Sequence, residues 1–110
     1  MTDVVLALGF DLFFKPRITQ AAKEVGVEVR FVLPAEALAK SEGTSRVVAD
    51  VSAPGVLDAV LSLRKARPEL PVLVCYPHVQ ADLMQAAVAA GASAVTRGQF
   101  NADLPKMMRG

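Results

Sequence analysis

The sequence predicts a three-layer α/β/α domain, a five-stranded parallel sheet with helices on both faces. Three observations carry that reading. Apolar runs of strand length alternate five times with segments whose apolar residues recur at helical spacing. The connections between them are short, and β-α units joined in that way close into a parallel sheet. Of the 110 residues 53% are hydrophobic and 21% charged, a globular composition that argues against disorder and suits one domain over residues 1–110.

Val4-Val5-Leu6-Ala7-Leu8 is a continuous aliphatic run, as a strand buried on both faces requires. Leu12, Phe13, Ile18, Ala21, Ala22 and Val25 then fall at helical spacing, and Gly26 supplies the stop. Pro16 belongs in the first turn of this helix, where its missing N–H costs least, with Asp11 near the N-cap. Val27 to Leu33 alternates apolar with charged residues, a period of two that marks an edge strand. Ala35 to Lys40 is a short helix ending near Gly43. Arg46 to Val51 is again a buried strand, stopped by the turn Ser52-Ala53-Pro54-Gly55. Val56, Val60 and Leu63 form the core stripe of the next helix, closed by Arg64-Lys65-Ala66-Arg67, whose cations favour the negative end of the helix dipole. Pro71 to Tyr76 is the fourth strand, and Val79, Leu83, Ala86, Ala87 and Ala90 line the fourth helix up to Gly91. Ala94 to Arg97 is a short fifth strand, and Leu104, Met107 and Met108 indicate a truncated last helix.

The edge character of the second strand selects the flavodoxin-like order 2-1-3-4-5, which places that strand outermost and opens a crevice at the carboxyl ends of strands 1 and 3. Asp11, Asp50, Ser52, Tyr76, His78 and Arg97 should gather at that rim.

Several function classes are disfavoured at the outset. Twelve Lys+Arg against eleven Asp+Glu leave a formal charge of +1, with no basic field for nucleic acid, and aromatics are only 5%. No stretch approaches a membrane span, and the acidic start Met1-Thr2-Asp3 lacks the basic flank of a signal peptide, so a cytoplasmic location is expected. One cysteine and one histidine exclude a thiolate zinc cage or an internal disulfide. Only carboxylates could hold a metal, of the Mg²⁺ or Ca²⁺ type. Asp11 and Asp50 are the sole weak candidates, so the expectation is no metal and no cofactor, with Mg²⁺ disfavoured.

Asp50-Val51-Ser52-Ala53-Pro54-Gly55, Pro71 to Tyr76, and Gly91 to Phe100 together resemble the receiver domain of two-component response regulators (the CheY-like superfamily) over nearly the whole chain. The first segment is similar to the stretch that opens on the family's phospho-accepting aspartate. The last is similar to its Gly-Ala…Lys-Pro-Phe run. The resemblance implies acids after strand 1 that hold Mg²⁺, a nucleophilic aspartate on strand 3, a Ser/Thr after strand 4 and a Lys after strand 5. This chain departs from that set. The acid-pair region reads Leu8-Gly9-Phe10-Asp11, Tyr76 takes the hydroxyl position, Gly98-Gln99 takes the Lys-Pro position, and Arg97 lies one residue early.

Asp50 is therefore read as a vestigial phospho-acceptor position. It either caps its loop or pairs with Arg97, which would substitute for phosphate-dependent contacts. Tyr76 either packs in the core or fills the empty phosphate pocket with its hydroxyl on Asp50 or Arg97. His78 opens the fourth helix as a capping residue or as a rim contact. Cys75 is an inert buried thiol. Phe13 and Phe14 are adjacent, so one ring should lie on the surface. Phe14, with Leu57 and Leu61 beside the core stripe of the third helix, is the candidate partner contact.

The first functional expectation is a stand-alone degenerate receiver, a non-enzymatic signalling module that binds another protein, with a homodimer conceivable. The alternatives are a single-domain response regulator phosphorylated on Asp50, and a binder of a small anion or nucleotide at the crevice. The third lacks a glycine-rich phosphate loop after strand 1.

Overall fold

The five strand-length segments pair side by side as expected. In the computed structural model, which describes residues 3–110, they form strands β1 (Val4–Leu8), β2 (Glu28–Val32), β3 (Arg46–Asp50), β4 (Val72–Tyr76) and β5 (Ser93–Thr96). Met1 and Thr2, part of the acidic start noted above, lie outside the described residues. The sheet is parallel in the order β2-β1-β3-β4-β5. This is the order that the alternating pattern of the second strand indicated.

The helices are α1 (Phe14–Val25), α2 (Ala37–Lys40, continuing a 3₁₀ turn over Pro34–Glu36), α3 (Val56–Ala66), α4 (Ala81–Ala89), α5 (Arg97–Ala102) and α6 (Leu104–Arg109). Gly26 ends α1 at φ +75°, a left-handed cap that costs glycine least.

Strand alternation splits the core into two layers. Leu6, Leu8, Val47, Ala49, Val72 and Val74 face α2, α3 and α4, where Val56, Val60, Leu63 and Ala87 meet them. Val5, Ala7, Val48, Leu73 and Cys75 face α1, α5 and α6, where Ile18, Phe100, Leu104 and Met108 close over them. Most of these side chains have lost all contact with solvent, each buried Val, Leu, Ile, Phe or Met contributing about 1.5–3 kcal/mol of transfer free energy.

Three element-level expectations change. α4 starts at Ala81, so Val79 stands in the preceding turn at 77% exposure, not in the core stripe. The Gln80 N–H donates to the Pro77 carbonyl at 2.8 Å, which bends the chain before the helix can begin. Arg97 does not end β5 but opens α5, whose Thr96 N-cap accepts from the Gln99 N–H at 3.2 Å. Leu12 and Phe13, placed on the helical stripe, precede α1 and are 85% and 62% exposed.

Candidate functional site at the carboxyl rim

Register determines which rim residues can meet. Asp50, the last residue of β3, pairs with Cys75 of β4, so both side chains project to the α1–α5–α6 face. Tyr76 is one residue further on, and it packs against the opposite layer, the one that holds Ala49, Val51 and Val74. The idea that its hydroxyl reaches Asp50 or Arg97 is corrected on that ground: a one-residue step along a strand reverses the face.

Asp50 is 4% exposed, one of two buried polar residues among those described. Its Oδ1 accepts from the Ser52 backbone N–H at 3.0 Å and from the Ser52 hydroxyl at 2.6 Å. Its Oδ2 lies 3.3 Å from Arg97 Nε. The latter contact is an ion pair and not a well-directed hydrogen bond, because the buried Nε–H does not aim at the carboxylate. The Arg97 guanidinium also lies 5.2 Å from the Phe14 ring centroid. The cation is thus held between a carboxylate and an aromatic face, an arrangement that favours arginine.

Phe14 is part of an aromatic cluster. Phe10 stacks on Phe100 with centroids 5.3 Å apart, and Phe14 sets its edge against both rings at 5.7 and 6.1 Å. Phe14 is 5% exposed. Its assignment as a partner contact is therefore corrected: as the first residue of α1 it turns into the core, and the exposed ring is Phe13, with the Arg17 guanidinium 4.5 Å above it. Leu57 packs partly against the core, whereas Leu61 remains on the surface at 36% exposure.

The remaining rim residues stand apart. Asp11 is exposed, and its Oδ1 accepts from the Phe13 and Phe14 N–H groups, both at 3.0 Å, so the carboxylate serves the start of α1. His78 is exposed in the turn before α4, three residues ahead of the helix, and does not open it. Burial pushes the Cys75 thiol well above its ordinary range; the nearby Asp50 carboxylate adds to the rise and Arg97 opposes it. The thiol stays protonated at neutral pH and is no nucleophile.

Gly9, not singled out by sequence reasoning, is the tightest position at the rim. Its φ is +81°, and a Cβ there would lie 2.7 Å from Val56 Cγ2 and 2.9 Å from the Asp50 carbonyl oxygen. The aliphatic run of β1 ending on a glycine is the signal that could have found it. In the resemblance this position belongs to the acid pair, so no acid can stand there without moving the backbone. Phe10, the next position, is buried in the aromatic cluster. Among the described residues no group of three or more His, Cys, Asp or Glu side chains could hold a metal ion. With Asp11 turned to the start of α1 and Asp50 engaged by Ser52 and Arg97, the residues present do not fit the divalent cation that the resemblance implies.

No family model and no curated protein sequence matches the chain. Solved structures do. The chain is similar to the chemotaxis response regulator CheY4 of Vibrio cholerae, with a TM-score of 0.80 at 20% identity over 99% of this chain and 98% of that one. It is similar to a CheY-like receiver domain protein from Methanospirillum hungatei, with a TM-score of 0.82 at 18% identity over 99% and 92% of the two chains. A response regulator from Thermotoga maritima matches end to end, with a TM-score of 0.75 at 20% identity over 100% of both chains.

Proposed function

We propose that this chain, which has the CheY-like receiver fold, is a degenerate receiver: a signalling module that works by binding another protein and does not depend on phosphoryl transfer. One observation carries the reading. Both oxygens of the Asp50 carboxylate are already engaged inside the chain, one by Ser52 and one by Arg97. Attack on a phosphoryl donor needs a free carboxylate oxygen with a cation to neutralise the incoming charge. Here the cation is a protein side chain that already neutralises Asp50 itself.

The built-in pair takes the place of the contacts that phosphorylation would create. It ties the tip of β3 to the start of α5 permanently, so the rim presents one shape to a partner. Such a module carries no catalytic group and needs no cofactor. The second reading, phosphorylation on Asp50, draws on the position of that residue at the carboxyl end of β3.

Thermal unfolding in the presence of Mg²⁺ with beryllofluoride, a stable mimic of an acyl-phosphate's phosphoryl group, separates the two. A ligand that binds only the folded state raises the melting temperature by mass action. The degenerate reading expects the same midpoint with and without the additives. A concentration-dependent rise that disappears in Asp50→Asn would replace it with the phosphorylated reading.

A further inference from the structure

We propose that two copies of this chain pair through the outer edge of β2, joining their sheets into one continuous ten-stranded sheet about a two-fold axis. β2 is hydrogen-bonded on one side only, to β1. The Glu28 N–H donates to the Asp3 carbonyl at 2.8 Å, so alternate residues Glu28, Arg30 and Val32 address β1. The N–H and C=O groups of Val29 and Phe31 therefore point to the open edge. Among the described residues nothing covers that edge: α2 is a single turn, and an open groove of about 620 Å³ lies beside the strand, lined by Arg30, Phe31, Val32, Lys40 and Glu42.

The charge order on this edge is self-complementary. Glu28 and Arg30 project from the same face, are exposed and already make a 3.0 Å ion pair within the chain. Antiparallel pairing centred on Val29 sets Val29 against its own copy, Glu28 against Arg30 of the second copy and Arg30 against its Glu28. On the other face the half-buried Val27 meets Phe31, an aliphatic–aromatic cross-strand pair. The two flanking registers that keep the outward groups paired oppose Arg30 to Arg30 or Glu28 to Glu28, like charges that disfavour them. Charged edges ordinarily block self-pairing; opposite signs two residues apart about a central valine select one pairing instead. The contact is isologous and closes, so it stops at two copies.

Sedimentation equilibrium of the full chain over a range of protein concentrations tests this, with circular dichroism to confirm folding. The parent is expected to dimerise. Glu28→Arg and Arg30→Glu, each creating like-charge pairs across the axis, should weaken the dimer by about tenfold or more. The double exchange Glu28→Arg with Arg30→Glu restores the order of signs and should restore the dimer. An equimolar mixture of the two single variants should form a heterodimer. Val29→Pro, which removes an outward N–H that the monomer does not use, should leave a folded monomer. A monomeric parent at every concentration, single variants that dimerise as the parent does, or a double exchange that fails to recover would each overturn the β2 interface.

Discussion

Asp50 accepts from Ser52 on one oxygen and faces Arg97 on the other, so its charge is answered locally and not by solvent. Replacing Arg97 with alanine leaves a buried carboxylate without its cation, and chemical denaturation should register a loss of roughly 1–3 kcal/mol. Asp50→Asn combined with Arg97→Ala should cost less than the sum of the two single changes, a coupling that a double-mutant cycle reads directly. The aromatic cluster gives a sharper contrast. Phe14→Ala empties a site walled by Phe10 and Phe100 and should cost about 3–5 kcal/mol. Phe13→Ala, at an exposed ring, should change stability by less than about 0.5 kcal/mol. Of this pair the sequence shows only that two adjacent rings cannot share one direction. Which one is buried depends on where α1 begins, and that is set by the Asp11 carboxylate capping Phe13 and Phe14.

At the scale of elements, Arg64 fastens α3 to the end of α4 and the approach to β4. Its Nε–H donates to the Ala90 carbonyl at 3.2 Å and its Nη1 to the Leu70 carbonyl at 2.7 Å. These are carbonyls that a helix end and a loop leave without partners. Gly91, at φ +100°, lets the guanidinium in, since a Cβ there would lie 2.8 Å from it. Arg64→Ala should therefore lower stability by about 1–2 kcal/mol, and Gly91→Ala should be destabilising through the same junction, both read by thermal melts. At the other end of the sheet, Gly9→Asp places a side chain against Val56 and the Asp50 carbonyl. It should impair folding before it can create Mg²⁺ affinity. The strands and the outermost place of β2 were legible because the covered strands read as mainly apolar runs whereas Val27 to Leu33 alternates apolar with charged residues. The opening of α4 was not, because Val79 matches the helical stripe while the Gln80–Pro77 turn, made by backbone groups, holds it outside. The face occupied by Tyr76 was not legible either, because its parity with Asp50 depends on the β3–β4 register, which strand pairing sets and the residue pattern does not.

For the molecule as a whole, the two core layers meet across β3 and β4, and Cys75 sits in the sheet beside Asp50. Its thiol is held protonated in the folded state, while in the unfolded chain it titrates near pH 8.5. Below that pH both states are protonated and this group leaves stability unchanged. Above it the unfolded state alone releases a proton, so stability should fall by up to about 1.4 kcal/mol per pH unit from this group. Cys75→Val should show a shallower decline between about pH 8.5 and 10 in urea titrations. Fold-level likeness to receivers extends over 97–100% of the chain at 17–20% identity, and the shared architecture is compatible with more than one task. The proposed function rests on the Asp50 carboxylate, held by Ser52 and Arg97. Incubation with acetyl phosphate and Mg²⁺ followed by intact-mass measurement tests that lock most directly. The account predicts an unshifted mass for the parent, the same as for Asp50→Asn. A parent that gains one phosphoryl group, lost in Asp50→Asn, would contradict it.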